Sequence, residues 1–407
     1  HKFNLRILIK AIEEFSWLTF LSGDKQWEPA GLFNHNSFIK VDFPVLDYDA
    51  RIKYWETLKN GKIKFSKEVN FKELSTRFRF TQGQIKDALT AAQNLAQLRN
   101  PDKLEVTMED LYRGCRAQCN QKLGTLAQKI NSKYTWDDIV LPDDVMEQLH
   151  GICDQIKYRY TVYEKWGFDR KFSLGKGLNI LFSGPSGTGK TMAADIISNE
   201  LELDLYKIDL SCIVSKYIGE TEKNLSRIFK EAETSNAILF FDEADALFGK
   251  RSEVRDSHDR YANIEINYLL QKMEEHEGMV ILASNLHKNI DEAFTRRMHF
   301  SVDFPFPNER YRLGIWRNIF PEGMPKSEDI DFEFLADKFK LSGGNIKNVA
   351  LHAAFKAAEK SKRVNMKHII QGVKSEFQKM GKLCHQSEFG KYYDLVAVKE
   401  SERTRWK

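Results

Sequence analysis

At 407 residues, 29% charged and 42% hydrophobic, the chain has the balance of a soluble globular protein and the length for about two to four compact units. Its formal charge of +4 is dispersed, and the densest basic patch, KSKRVNMK at Lys360–Lys367, reads as a solvated helix end, which makes nucleic acid an unfavoured partner. No apolar run approaches the ~20 residues of a membrane span, and five cysteines (Cys115, Cys119, Cys153, Cys212, Cys384) without CxxC spacing fit reduced thiols in a cytoplasmic setting rather than a secreted scaffold.

The helix-like LRILIKAIEEF stands almost at the start, with no initiating methionine, and reads as the interior of a longer protein. One constant offset then relates two parts of the chain: Val41 matches Val302 (302 − 41 = 261), and the same shift runs ungapped from Leu8 and Leu269 to Lys86 and Lys347. Under it VDFP meets VDFP, and Arg51, Trp55, Phe71, Leu74, Phe78 and Ile85 meet Arg312, Trp316, Phe332, Leu335, Phe339 and Ile346. VTMEDLYRG and VNMKHIIQG continue the match with the shift reduced by three. The expected organisation is the back half of one module, with an α/β end at 1–45 and a helical lid at 46–125, followed by a whole second module. That second module has an α/β domain at 126–304, a lid at 305–380 and an unassigned tail at 381–407.

The second module carries the chemistry. The apolar NILF (Asn179–Phe182) reads as a buried strand, and GPSGTGKT follows before the helix-like TMAADIISNELE, which is GxxxxGK[ST] between strand and helix. Glycines let such a loop, Pro185-Ser186-Gly187-Thr188-Gly189 with Lys190, Thr191 and Met192 at the helix start, wrap closely so that backbone N–H groups and the helix N-terminus point at phosphate oxygens. Lys190 neutralises the outer phosphates, and the Thr191 hydroxyl suits Mg²⁺. A second buried strand in AILFFDEAD ends at Asp242, suited to the metal, and Glu243, suited to a water. A third, MVILASN, leaves Asn285 at the carboxyl end, where open parallel sheets place ligands. NLSRIFKEAE puts Leu225, Ile228, Phe229 and Ala232 on one core stripe. His258 has no ligand-spaced partner and is no metal site.

Together GPSGTGKT, SKYIGETEKNL, FFDEADALFGKR, ILASN and AFTRR with VDFPFP resemble the AAA family of the AAA+ ATPases over Trp136 to about Met380. The wording is most similar to bacterial AAA proteins found with contractile injection systems. The resemblance implies a P-loop parallel sheet with helices on both faces plus a helical lid, ATP and Mg²⁺ as cofactors, and a homohexamer acting on a protein threaded through its pore. It implies Asp138, Ile139 and Val140 at the adenine, Lys190 and Thr191 as Walker A, Asp242 and Glu243 as Walker B, and Asn285 as sensor. Arg296 and Arg297 become fingers toward the neighbouring subunit, and Gly344 and Asn345 lid contacts, although Gly343-Gly344 replaces the usual glycine-alanine. Lys216, Tyr217 and Ile218 match the pore loop, where an aromatic between a cation and an aliphatic grips extended peptide. GKRSEVRDSHDRY is a second candidate pore loop.

Two other classes compete with ATP-driven remodelling, unfolding or threading of a protein. A structural ring or scaffold would not need Glu243, Asn285 and both arginines; a nucleic-acid motor fits neither the charge nor KYI. In the first module the 261-residue shift puts Asp24 at the sensor and His35-Asn36 at the fingers, so that module is expected to be hydrolytically inert.

Overall fold

The computed structural model describes residues 46–59, 63–101, 104–119, 127–171, 177–210, 220–235, 237–245, 257–285, 295–360 and 363–396, with scattered positions before residue 46. It divides into two units, His1–Val45 and Leu46–Lys407. In the first, a few positions near Lys10 and Glu14 are helical; Asp24, His35 and Asn36 lie outside the described residues. The second unit holds an α/β sheet domain flanked in sequence by two helical units.

The N-terminal helical unit comprises α1 (Tyr48–Lys59), β1 (Lys64–Phe65), α2 (Phe71–Arg77), α3 (Gln82–Arg99), β2 (Glu105–Val106) and α4 (Met108–Cys119). Asn70 caps α2, and a Thr81–Gln84 capping box starts α3, so orphan amides are satisfied where each helix begins. Trp55, Leu74, Phe78 and Ile85 form its core, at most 3% exposed.

The sheet domain follows as β3 (Gln128–Ile130), α5 (Asp143–Tyr160), β4 (Leu178–Ser183), α6 (Lys190–Leu201), β5 (Leu205–Asp209), α7 (Glu220–Ser235), β6 (Ile238–Asp242), α8 (Ser257–Glu275), β7 (Met279–Ser284) and β8 (Phe300–Asp303). The strand order is β3-β5-β6-β7-β4-β8, parallel throughout except that β3 runs antiparallel to β5. Every residue of β4 and β7 is buried, the signature of strands covered on both faces. Alternation divides the covering: Ile180, Phe182 and Ile281 pack with α5 and α6, whereas Leu181, Phe241 and Leu282 pack with α7 and α8. Leu225, Ile228, Phe229 and Ala232 are all buried on that second side. The three predicted strands thus exist, with NILF one residue longer at each end.

The C-terminal helical unit repeats the first: α9 (Glu309–Asn318), α10 (Phe332–Lys338), α11 (Gly343–Lys360) and α12 (Met366–Lys379). The bounds of α10 and α11 are those of α2 and α3 displaced by 261 residues. Parallel pairing joins Phe65 to Val106 in one unit and Lys326 to Val364 in the other. Arg51 donates to the carbonyls of Ser75 and Leu46, and Arg312 to those of Ala336 and Pro307, the same positions 261 residues on. Gly114 and Gly372 admit the same crossing, since a Cβ would stand 2.3 Å from the Ala88 carbonyl or 2.9 Å from that of Val349.

The segment left unassigned by sequence packs into this unit. α13 (Gln386–Phe389) and a 3₁₀ turn to Leu395 bury Phe389 and Val396, with the Phe389 ring 5.0 Å from Phe339 and 5.7 Å from Phe377. Among the described residues no helix is long and apolar enough to cross a membrane.

The N-terminal helical unit seats against the sheet domain through arginines. Arg77 donates to the Leu201 carbonyl at 3.0 Å, Arg116 to the Glu202 carbonyl at 3.3 Å and to its carboxylate, and Arg79 pairs with Glu277. The equivalent positions of the C-terminal unit are Lys338, Lys374 and Lys340.

Candidate active site

β4 delivers the chain to a loop built on glycine. Gly184, Gly187 and Gly189 have φ of 141°, 77° and 110°, all in the region that a side chain disfavours. Space forbids one too: a Cβ on Gly184 would lie 2.3 Å from the Phe304 carbonyl, and on Gly187 2.7 Å from Ser342 Oγ. Gly189 caps α6, so the free amides of that helix open onto the loop. Thr188 Oγ1 closes the turn on the Pro185 carbonyl at 2.9 Å. Ser186 and Thr191 are exposed and Met192 half-buried.

Lys190, 8% exposed, points its ammonium back into the loop. It donates to the Gly184 and Pro185 carbonyls at 2.5 and 3.0 Å and to Asn285 Oδ1 at 3.0 Å. All three acceptors are neutral. Burial lowers its pKa below the usual lysine value, while Asp242 and Asp245 pull the other way. A desolvated cation held by neutral oxygens in a glycine cradle suits a polyphosphate.

Asp242 ends β6 beside this ammonium. Its Oδ2 pairs with Lys207 Nζ at 2.5 Å and its Oδ1 accepts the Glu243 N–H at 3.0 Å. Glu243 has φ 55°, a left-handed backbone rare for a non-glycine residue and of a kind concentrated at functional sites. Asp245 accepts the Asn285 N–H at 2.7 Å and the Ser284 hydroxyl. Asp245 therefore orients Asn285, which in turn holds Lys190. Sequence reasoning missed Lys207 and the role of Asp245. Period-two alternation makes Lys207 an ordinary outward residue of β5, and only the β5–β6 adjacency reveals its partner.

The flanking segments converge on the loop unequally. Ile139 lies 3.6 Å from where a Gly189 Cβ would stand, and Val140 packs on Gly314. The Asp138 carboxylate is taken up locally by Thr135 N–H and Oγ1 at 2.7 and 3.0 Å. From the C-terminal unit, Gly344 N–H donates to the Gly187 carbonyl at 2.9 Å. Asn345 turns inward, accepting from Ser342 and donating to Glu376 at 2.8 Å, so its side chain orders its own unit. Arg296 is exposed in the turn before β8, and Arg297 pairs with Glu274 of α8. Lys216, Tyr217 and Ile218 lie outside the described residues, as do residues 249–256 and the His258 side chain.

The residues fit a nucleotide with a divalent cation. The cradle and Lys190 match phosphate, and Thr191 and Asp242 offer hard oxygens. Among the described residues no group of three or more His, Cys, Asp or Glu could cage a metal. Such a site suits Mg²⁺ shared with substrate oxygens rather than held by protein alone.

Residues 180–307 match the profile of the ATPase family associated with various cellular activities (AAA). The 26S proteasome regulatory subunit S10B homolog B of Arabidopsis thaliana is 26% identical over 388 residues, 85% of this chain and 96% of that protein. The proteasome-activating nucleotidase of Aeropyrum pernix is 31% identical over 68% of this chain and 72% of its own length. Protein CdcH of Halobacterium salinarum is 33% identical over 55% of this chain, but only 30% of CdcH is covered.

Proposed function

The chain belongs to the AAA family of ATPases, and from that premise we propose that its sheet domain hydrolyses ATP with Mg²⁺ in a hexameric ring, coupling turnover to remodelling, unfolding or threading of a protein. The observation that carries this reading is the Lys190 ammonium, buried at the mouth of the glycine loop with neutral acceptors and tied through Asn285 to the strand ends that bear Asp242 and Glu243. Two relatives carry the proteasome in their names, which supports protein as the substrate.

Each residue then has a task. The loop amides and Lys190 bind the phosphates, the ammonium exchanging neutral carbonyls for anionic oxygens. Thr191 and Asp242 would hold Mg²⁺, which would supply positive charge to offset that of the phosphates. Glu243, fixed by its own amide on Asp242, orients a water and accepts its proton. Asn285, positioned by Asp245, turns from Lys190 toward the terminal phosphate. Ile139 and Val140 border the base, Gly344 closes the lid on the loop, and Arg296 and Arg297 reach the site of the next subunit. Lys216, Tyr217 and Ile218 grip the threaded chain. Residues 46–125 are read as the lid of a first module that no longer hydrolyses and instead steadies the ring.

The test is Glu243→Gln. The variant should bind a fluorescent ATP analogue as the parent does and turn over at least ~10²-fold more slowly, the scale of a lost acid–base group. Undiminished turnover would remove Glu243 from the mechanism.

A further inference from the structure

We infer that Lys207 is a resident counter-ion for Asp242 and sets how much divalent cation the site requires. The inference rests on Asp242 as the metal-holding carboxylate. In the sheet register Lys207 stands beside Phe240 and Asp209 beside Asp242, so the Lys207 side chain reaches two residues along the neighbouring strand. That is a distance of ~7 Å at the usual strand rise, within the span of an extended lysine. The reach ends with Nζ 2.5 Å from Asp242 Oδ2. Both groups are partly shielded, the lysine side chain 35% and the aspartate 24% exposed.

The arrangement divides labour between two lysines. Lys190 is committed to the loop carbonyls and Asn285, leaving Asp242 to Lys207. Since the other Asp242 oxygen accepts the Glu243 amide, each carboxylate oxygen has a partner before any cation arrives. A divalent ion must displace the ammonium, and bare Mg²⁺ gains little from a carboxylate already neutralised. Mg²⁺ arriving on phosphate oxygens brings its own ligands and can make the exchange. Lys207 thereby penalises the free ion and favours the metal–nucleotide pair.

The experiment titrates Mg²⁺ against binding of a fluorescent ATP analogue, read by anisotropy, in wild type, Lys207→Met, Lys207→Arg and Asp242→Asn. Loss of a partly exposed ion pair predicts a half-saturating Mg²⁺ concentration lower by roughly fivefold in Lys207→Met. Lys207→Arg, which restores the cation, should return to the wild-type curve. An unchanged or raised Mg²⁺ requirement in Lys207→Met overturns the counter-ion role, provided Asp242→Asn alters the curve. If Asp242→Asn also titrates as wild type, the metal reading of Asp242 itself is what fails. Should Lys207→Met lose its fold by circular dichroism, Lys207→Gln replaces it and is judged by the same shift.

Discussion

His276 is 3% exposed between α8 and β7, with its ring edge-on to Phe229, and its Nε2 finds no hydrogen-bond partner among the described residues. Burial pushes its pKa down to about 4 from 6.5, helped by Arg79 and Arg159 and opposed by Glu277. The folded chain therefore refuses a proton that the unfolded chain accepts as pH falls from about 6.5 toward 4. Stability is present above that window and lost through it, on the order of 1–2 kcal/mol by pH 5. His276→Leu should shrink the drop in unfolding free energy between pH 7 and pH 5 by that amount, measured by urea denaturation. Equal drops in both proteins would mean the imidazole is hydrated. Nothing in EEHEG announces this, because a histidine between acids reads as a surface residue. Lys190, Asp242, Glu243 and Asn285 were legible for the opposite reason: each stands at a strand end or helix start whose apolar run marks it.

Among the elements, α6 is held at both ends. Its N-terminus frames the phosphate loop, and its last carbonyls, carrying the negative end of the helix dipole, meet Arg77 and Arg116. Glu202 supports the stop with φ 57°. Replacing both arginines by alanine should speed amide exchange in the final turn of α6 and cost about 1–3 kcal/mol in stability, the scale for hydrogen bonds to charged groups. Unaltered exchange there would show that packing alone fixes the helix. The helices themselves could be read from sequence, since Trp55, Leu74 and Ile85 recur with the spacing of Trp316, Leu335 and Ile346. Their seating could not: arginine at 77, 79 and 116 against lysine at 338, 340 and 374 is a small difference until a neighbouring carbonyl gives it meaning. Phe389 was illegible likewise, because one phenylalanine in a polar tail has no period to betray its burial.

For the whole molecule, the proposed ring makes the site incomplete in one subunit. Arg296 and Arg297 sit in a turn at the sheet edge next to β8, away from the Lys190 loop of their own chain in sequence and able to serve another. Activity per subunit should fall on dilution below the assembly concentration, and Arg296→Ala should remain slow at any concentration, by up to the ~10³–10⁵ that such arginines supply elsewhere. Turnover insensitive to dilution, followed alongside sedimentation, would show that each chain is self-sufficient. The same molecule bears a contact with a kinetic corollary. Gly344 N–H rests on the Gly187 carbonyl, and the two backbones touch with no side chain between them. Any lifting of the lid away from the loop must break that hydrogen bond, a step whose rate does not depend on how much nucleotide is present. Rapid mixing reads that step directly: a binding rate that climbs with nucleotide concentration and then levels off shows the lid lifting before the loop fills, whereas a rate that stays linear shows the loop filling with the contact in place.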